Sequence, residues 1–303
     1  MRSNLLNASQ DASMVVAVVV THNRPEELKM VVAALLAQTV KVSKILVVDN
    51  ASSIPASEVI DDYPGVEVVR SEFNTGSSGG FAFAVETALK SKCDWIWMMD
   101  DDAVPRKDAL LELMRGAKVL PEHAGALCCA VYEFGELARM HRRKFNFRTG
   151  LETSVSKNHY EQEFSPIDMG SFVGFMIRAA AVRAVGLPNA SFFIAYDDSE
   201  YSLRIIKAGW SIWLISNSCI DHLRTVQSKL STSEFGLKHF YNIRNRLVVV
   251  RQYADWRLIS GLIAIIYGSL IWLGSRKPLS FSAINKFCSA IRDGWRGKLG
   301  RMD

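Results

Sequence analysis

Paired cysteines, a signal peptide and a strong net charge are all missing from this sequence of 303 residues, and each absence excludes a class of protein. The cysteines number five, Cys128 and Cys129 are adjacent, and the surrounding residues are mostly apolar. This pattern argues against a disulfide framework and indicates reduced thiols in a core, which favours the cytosol. The first residues are polar and lack the apolar segment of a signal peptide, so we expect 1–13 to form a short flexible tail.

Neither positive nor negative charge dominates the sequence, which has 36 Lys and Arg and 31 Asp and Glu residues. The formal net charge is +5 and the isoelectric point is near 8.9, an excess too weak to indicate nucleic-acid binding. Zinc-type cysteine and histidine spacings, RNA-binding signatures and helix-turn-helix patterns are absent from the sequence, so we predict no nucleic-acid partner. The hydrophobic fraction of 49% is enough for one large domain, or for one domain with an appendage.

Short apolar runs alternate with amphipathic segments through the first half of the chain. Runs that are apolar at consecutive positions are typical of strands buried on both faces. Strand, helix and strand in succession form right-handed units in a parallel sheet, so we predict an α/β fold with a Rossmann-like nucleotide-binding layer. The predicted strands are 14–20, 45–48, 66–69, 95–99 and 126–131.

Three adjacent carboxylates follow the apolar run Trp-Ile-Trp-Met-Met at 95–99. Asp100, Asp101 and Asp102 repel one another unless a cation or several donors compensate their charges. Ligands of open α/β sheets bind just beyond the carboxyl ends of the strands, and carboxylate oxygens suit Mg²⁺ or Mn²⁺ holding a diphosphate. The alternative is an acidic turn in contact with solvent.

Two further features of the first half suit a nucleotide. Asp49 ends the second strand, where a carboxylate can accept hydrogen bonds from a ribose or a base. Asn74 begins a glycine-rich turn with Gly79 and Gly80 before a helix, which allows a ligand to approach backbone N–H groups. The turn is neither a P-loop nor a spaced G-x-G-x-x-G fingerprint, and most such turns are only turns.

A second acidic cluster starts a helix in the second half. Helix capping explains one carboxylate at this place, but not Asp197, Asp198 and Glu200 within four positions. His222 follows a later strand. A lone histidine is more often structural, but a neutral imidazole here would complete a metal site begun by the triple aspartate.

Periodicity is weak over 132–166, which we predict to be a long loop. This stretch contains the basic residues 141–144 and Arg148. A basic loop either covers phosphates or an anionic acceptor, or is merely solvated, and the sequence leaves both open.

The segment 258–274 is almost wholly apolar and uncharged, with basic residues and tryptophans on both sides. Its 17 residues are at the lower limit for crossing a bilayer. We predict a helix lying in or on the cytoplasmic leaflet, with basic residues facing anionic lipid. The alternative is an interface helix buried in a homo-oligomer.

Taken in order, these motifs resemble the inverting family-2 glycosyltransferases of the GT-A fold, and among them the bacterial galactofuranosyltransferases, with rhamnosyltransferases as near relatives. The resemblance covers roughly residues 14–250. It is carried by Thr-His-Asn-Arg-Pro at 21–25, Val-Val-Asp-Asn-Ala-Ser at 47–52, Gly-Gly-Phe-Ala at 79–82, the aspartates at 100–102, Asp-Asp-Ser-Glu-Tyr at 197–201 and His222.

The resemblance implies a role for each matching position. Asp100, Asp102 and His222 would hold Mn²⁺ or Mg²⁺, and Asp198 would be the catalytic base. Ser199 stands where these relatives usually have alanine. Arg244 and Asn245, in a Tyr-Asn-x-Arg-Asn pattern that recurs in the relatives, would face the site. The residues assigned to the nucleotide sugar or the acceptor are Thr21, Asn23, Arg24, Asp49, Asn74, Gly79, Gly80, Asp100, Asp101, Asp197 and Glu200.

The implied organisation is a GT-A nucleotide-sugar-binding domain over 14–232 and a helical, membrane-associated region over 233–303. The implied activity is metal-dependent transfer of galactofuranose from its uridine diphosphate (UDP) donor to a lipid-linked or polysaccharide acceptor of a bacterial cell-surface glycan. It would take place in the cytoplasm, at the inner face of the cytoplasmic membrane. The alternatives are a deoxythymidine diphosphate (dTDP) rhamnose donor, a catalytically silent membrane scaffold, which the intact acids disfavour, and a nucleotide-binding regulator, which would not need the Asp198 cluster.

Overall fold

A large mixed β-sheet runs through the middle of the protein. The computed structural model describes residues 13–224 and 233–302, so the tail predicted at 1–13 lies almost wholly outside the described residues. The strands are β1 Val15–Thr21, β2 Lys44–Asp49, β3 Val66–Arg70, β4 Trp95–Asp100, β5 Ala103–Pro105, β6 Ala124–Glu133, β7 Glu136–Leu137, β8 Arg142–Phe145, β9 Glu152–Ser154, β10 Phe164–Ile167, β11 Met169–Gly170, β12 Phe175–Arg178 and β13 Ser211–His222. The α-helices are α1 Pro25–Leu36, α2 Ala56–Val59, α3 Gly76–Leu89, α4 Ala109–Val119, α5 Lys157–Glu161, α6 Ala179–Val185, α7 Asp197–Lys207, α8 Leu237–Tyr253, α9 Arg257–Gly274 and α10 Phe281–Arg296.

The order of strands in this sheet is β10-β13-β6-β12-β4-β1-β2-β3, with β5 paired to β13 and β7 paired to β6. The four strands β4, β1, β2 and β3 are parallel, as the alternating pattern predicted. β12 is antiparallel to both β4 and β6 and separates the parallel half from the β6–β13 pair. The sheet is therefore mixed rather than wholly parallel.

Apolar layers cover both faces of the sheet. Every residue of β1 is buried, and alternate side chains point to opposite faces. Val16 and Val18 join the cluster beneath α3 and α6, whereas Ala17 and Val19 join the cluster beneath α1 and α4. Burial on both faces accounts for the continuous apolar runs in the sequence. Because β1, β2 and β4 are parallel, their carboxyl ends lie at the same end of the sheet.

The prediction of a long loop over 132–166 is wrong. This stretch contains β7 to β9, α5 and the start of β10, and β8 forms a small sheet with β9 and β11. These strands have two to four residues, too few for an alternating pattern to be visible in the sequence. Arg142 is fully buried and donates to the carbonyls of Cys129 and Val173, so at least one basic side chain serves the fold.

The helices α8, α9 and α10 lie in the described range 233–302, after the sheet in the sequence. α9 packs on α8 through small residues: a Cβ added to Gly268 would lie 2.9 Å from Ile243. Most of its large aliphatic side chains are exposed, although Ile271 is buried. Within the described residues α9 is one helix that is long and apolar enough to cross a membrane, judged by length and composition alone, and 28% of it is buried. The exposed apolar face of α9 consists of Leu258, Ile259, Leu262, Ile266, Leu270 and Leu273.

Candidate active site

The carboxyl ends of β1, β2 and β4 meet at one edge of the sheet. In the strand register Thr21 lies opposite Asp49, and Val20 lies opposite Asp100. β5 turns back from the triple aspartate and pairs with β13, where His222 lies opposite Ala103. The parallel register of β1, β2 and β4 and the antiparallel pairing of β5 with β13 bring together side chains that are far apart in the sequence.

Asp100, Asp102 and His222 form a group whose ligand atoms all lie within 4.8 Å of one another. Nε2 of His222 is 3.3 Å from Oδ1 of Asp102, and the N–H of Leu223 donates to the carbonyl of Asp102 at 2.7 Å. Burial and repulsion by Asp102 raise the pKa of Asp100 to about 7. The predicted trio of metal ligands is thus close together, although its ligand role stays a prediction.

The donor set of this group fits a divalent cation. Burial alone would lower the pKa of His222, but hydrogen bonding to Asp102 and the charges of both aspartates raise it to about 9. Asp100 and His222 therefore retain protons near neutral pH, at a place where a divalent positive charge would replace them. Two carboxylates and one imidazole are ligands that Mn²⁺ accepts, and the carboxylates suit Mg²⁺ as well.

Asp101 connects the ends of β1 and β4. Its Oδ2 accepts hydrogen bonds from the hydroxyl of Thr21 at 2.8 Å and from the N–H of His22 at 3.1 Å. Arg24 makes an ion pair with Asp102 and lies 3.6 Å from Asp101. The predicted donor-binding residues Thr21, Arg24 and Asp101 therefore lie at one place, beside the metal-type group, and already bind one another or Asp102.

A cavity of about 150 Å³ lies next to them, between β1 and the turn that follows β2. Its lining includes Thr21, Asn23, Arg24 and Ser52. Asp49 does not line it: its carboxylate is fully buried and accepts from the backbone N–H groups of Ser52 at 2.8 Å and Ala56 at 3.0 Å, and from Arg70. Asp49 shapes the wall of the cavity, and its direct contact with a nucleotide stays a prediction.

The glycine-rich turn is held by polar side chains and by close packing. Oδ1 of Asn74 accepts the N–H of Gly76 at 2.8 Å. Gly76 has a φ of +73°, and a Cβ there would lie 1.9 Å from the carbonyl oxygen of Phe193, so only glycine fits. A Cβ on Gly79 would meet Thr75 at 2.4 Å, and one on Gly80 would meet Val20 at 2.5 Å. Packing thus explains these glycines, and their contact with a donor stays a prediction.

The loop before α7 has an unusual backbone. Phe193, Ala195 and Tyr196 have φ values of 66°, 67° and 67°, which non-glycine residues rarely adopt. The side-chain amide of Asn245 on α8 donates to the carbonyls of Phe192, Ile194 and Ala195. Asn245 therefore lies behind the loop and holds its shape, and does not face the site as the resemblance implied.

α7 starts with two carboxylates in different surroundings. Asp197 is buried, and burial together with repulsion by Asp198 raises its pKa to about 8. Asp198 is half-buried, and its Oδ1 accepts from the N–H of Ser199 at 2.5 Å and from the Ser199 hydroxyl at 2.9 Å. Over residues 13–224 and 233–302 no hydrogen bond reaches its Oδ2. One oxygen of Asp198 is thus fixed, and the other is available to accept a proton.

More than half of the sequence matches a known family. Residues 16–186 match the family described as Glycosyl transferase family 2. Over 222 residues the chain is 33% identical to galactofuranosyltransferase GlfT1 of Mycobacterium tuberculosis, and the match covers 68% of this chain and 68% of that relative. This chain belongs to glycosyl transferase family 2.

Further likenesses agree with the family of this glycosyltransferase. It is 25% identical over 282 residues to galactofuranosyltransferase GlfT2 of Mycolicibacterium smegmatis, covering 80% of this chain and 42% of that relative. Solved structures of GalNAc-T7 with UDP, GalNAc and Mn²⁺ (TM-score 0.57, 15% identity) and of S. aureus TarS (TM-score 0.59, 14% identity) share its fold. The match covers 71% and 93% of this chain but only 44% and 48% of those chains, respectively. The predicted family and GT-A fold are confirmed.

Glu200 of the glycosyltransferase is bonded within the protein. Its carboxylate accepts from Arg204 at 2.7 and 3.1 Å and from the hydroxyl of Tyr253 at 2.6 Å, which ties α7 to α8. Contact between Glu200 and a substrate stays a prediction.

Three polar residues of the glycosyltransferase site come from 132–166: sequence reasoning missed Glu133, and noted His141 and Arg143 only as members of the basic stretch 141–144. Nη2 of Arg143 donates to the Ser199 hydroxyl at 2.6 Å, next to Asp198. Glu133 and His141 lie beside His222 and form a second group of possible ligands with it. For Glu133 a signal existed, because it is the acidic residue at the carboxyl end of β6. For Arg143 the sequence showed only that it belongs to a basic stretch; its contact with Ser199 depends on how the small sheet packs on α7.

Proposed function

We propose that this glycosyltransferase transfers galactofuranose from UDP-galactofuranose, with inversion and with the help of Mn²⁺ or Mg²⁺, to a lipid-linked or polysaccharide acceptor of a bacterial cell-surface glycan. The observation that carries the proposal is the presence of two acidic groups with different surroundings at one site. Asp100 and Asp102 lie with His222, as a cation requires, whereas Asp198 keeps one carboxylate oxygen unbonded among the described residues. The similarity to GlfT1 supports the choice of sugar.

Each carboxylate has a separate chemical task in this proposal. A divalent cation held by Asp100, Asp102 and His222 would act as a Lewis acid that neutralises the charge on the departing nucleoside diphosphate. The oxygen of an acceptor hydroxyl forms a bond to the anomeric carbon, while Oδ2 of Asp198 accepts the proton of that hydroxyl. The bond from the anomeric carbon to the diphosphate oxygen breaks on the opposite face. A single displacement of this kind inverts the configuration.

The nucleotide has a place next to these groups. In our proposal the base and ribose occupy the cavity lined by Thr21, Asn23, Arg24 and Ser52. The cation of Arg24 and the hydroxyl of Thr21 then lie between that cavity and the carboxylates that hold the metal. A diphosphate extending from the cavity would reach the metal without crossing the protein, which is the arrangement that the proposed reaction needs.

We further propose that the reaction takes place at a membrane, and the exposed face of α9 supports this. Leu262 is 56% exposed, Ile266 61% and Leu270 63%, whereas the buried residues of α9 are four small ones and Ile271. Exposed apolar faces of this kind are costly in water and are covered by lipid or by another protein. The basic residues Arg257, Arg276 and Lys277 lie at its two ends and are exposed, as attraction to an anionic leaflet requires. We therefore propose a peripheral position on the inner face of the cytoplasmic membrane.

The first experiment is donor turnover by the purified chain with Mn²⁺. UDP-galactofuranose, UDP-galactopyranose and dTDP-rhamnose would be compared, and Asp198→Asn would serve as the variant without a base. We expect turnover of the furanose donor only, reduced by at least about 10³-fold in the variant, while Mn²⁺ and donor binding are retained.

Each contrary result has a different meaning. Turnover of dTDP-rhamnose instead would keep the mechanism and replace the sugar. Full activity of Asp198→Asn would remove Asp198 from its role as base. Failure of every nucleotide sugar to bind would contradict the enzymatic proposal as a whole and favour a scaffold.

A further inference from the structure

Glu133, at the end of β6, joins two imidazoles through one carboxylate oxygen. Its Oε1 is 2.8 Å from Nδ1 of His222 and 3.0 Å from Nε2 of His141. An ionised carboxylate only accepts hydrogen bonds, so both rings donate an N–H to it. Nη1 of Arg224 lies 3.4 Å from the other oxygen, Oε2, and keeps the carboxylate from rotating freely.

These bonds fix the tautomer of His222. When the Nδ1 proton is donated to Glu133, a neutral ring carries its lone pair on Nε2. Nε2 is the atom that faces the aspartates, 3.3 Å from Oδ1 of Asp102. A histidine that binds a metal needs its lone pair on the atom facing the metal, and it obtains this by donating its other N–H to a carboxylate or a carbonyl.

His141, which contacts the same oxygen of Glu133 as His222 does, is itself held by further hydrogen bonds. Nδ1 of His141 is 2.7 Å from the hydroxyl of Ser171, and Nη1 of Arg142 lies 3.3 Å from the same hydroxyl. The side chains of Glu133 and His141 are each only 12% exposed. A chain of hydrogen bonds therefore runs from Ser171 through His141 and Glu133 to His222, and each residue limits the movement of the next.

We propose that Glu133 is a positioning residue that orients His222 for cation binding, with His141 holding Glu133 in place. The inference rests on the metal site of the proposed function. A second cation between Glu133, His141 and His222 would need both imidazole N–H bonds to Glu133 broken and both rings turned or deprotonated. The hydrogen-bond distances of 2.8 and 3.0 Å favour the positioning role.

The test measures Mn²⁺ affinity directly, by electron paramagnetic resonance of free Mn²⁺ during a titration of the full chain. Glu133→Ala should raise the Kd for Mn²⁺ about 10–100-fold, the usual cost of losing the partner of a metal-bound histidine. Glu133→Gln should cost less, because its amide oxygen still accepts the histidine N–H. It also keeps the experiment decisive if Glu133→Ala fails to fold.

Two reference variants separate the possible outcomes. Asp221→Asn makes the same change of acid to amide one residue before His222, on a side chain that binds Arg106 instead, and should leave the Kd unchanged. His222→Ala should lose most of the affinity. One outcome is that His222→Ala binds Mn²⁺ weakly while both Glu133 variants have a Kd within about twofold of that of wild type. In that case the positioning role is wrong and the metal site stands. If wild type binds no Mn²⁺, or His222→Ala binds as well as wild type, the metal site and the inference both fall.

Discussion

At the scale of single residues, Ser199 stands where the relatives are expected to have alanine. This difference adds a hydroxyl that makes two hydrogen bonds at the site. This hydroxyl donates to Oδ1 of Asp198 and accepts from Arg143. Arg143 is in turn paired with Glu152. An alanine at this position would leave the bond from the backbone N–H to Asp198, and would separate Asp198 from Arg143.

We expect Ser199→Ala to lower kcat about three- to tenfold. The lost hydrogen bond to a charged group fixes the direction of the base, and its loss is felt in the transition state more than in donor binding. Steady-state kinetics should show an unchanged KM for the donor, and Ser199→Thr should restore most of the rate because it keeps the hydroxyl. A kcat equal to that of wild type in Ser199→Ala would show that the backbone N–H alone suffices.

Residues next to strand and helix ends were predictable, whereas residues that act through a neighbour were not. Asp100, Asp102 and Asp198 stand out because carboxylates in those places are costly without a partner. Arg143 looks like any basic residue of a polar stretch until the small sheet places it on α7. Asn245 was expected at the site but lies behind it, because its amide is used by three backbone carbonyls.

At the scale of elements, the four strands β1 to β4 follow the apolar runs of the sequence closely. β4, for example, spans Trp95–Asp100 where the sequence predicts a strand over 95–99. The short strands β7 to β9 could not be predicted from the sequence, since two to four residues are too few to reveal an alternation of apolar and polar side chains. The loop before α7 was also hidden, because its positive φ values fall on phenylalanine, alanine and tyrosine rather than on glycine.

The α9 face gives a prediction at this scale. Replacing both Leu262 and Ile266 with glutamate should reduce binding to anionic vesicles at least about tenfold, because two exposed aliphatic contacts with lipid become charges. Vesicle co-sedimentation measures the effect. Val119→Glu, an equally exposed apolar position on α4, is the matched control and should bind as wild type does.

Two results would contradict a lipid contact at α9. If the wild-type protein does not co-sediment with vesicles, the proposed lipid contact is wrong. Wild type that forms a dimer in sedimentation equilibrium, with the double variant monomeric, would show that a second copy of the chain covers the face instead.

At the scale of the whole molecule, proton and metal binding compete in setting the stability. The raised pKa of Asp100 means that the folded, metal-free protein holds this proton more tightly than the unfolded chain does. Its contribution to stability is therefore lost as the pH rises from about 4 to about 7. A cation requires the deprotonated carboxylate and a neutral His222, so cation affinity rises over the range in which the metal-free protein weakens.

We therefore expect Mn²⁺ to raise Tm by more at pH 8 than at pH 6, by at least about 3 °C for a chain of this size. Differential scanning fluorimetry with and without Mn²⁺ at the two pH values measures the difference. Asp102→Asn should abolish the Mn²⁺-dependent increase at both. An increase that is equal at both pH values would contradict proton competition at this group.

The bonds between α8 and the loop before α7 have a practical consequence for dissecting the protein. The predicted boundary at 232 separates the sheet from the helices that follow, yet Asn245 supplies three hydrogen bonds to that loop and Tyr253 supplies one to Glu200. A fragment that stops at 232 keeps every acid of the site but loses the donors that shape the segment carrying Asp197 and Asp198. We therefore expect any minimal active fragment to require α8, which carries these donors.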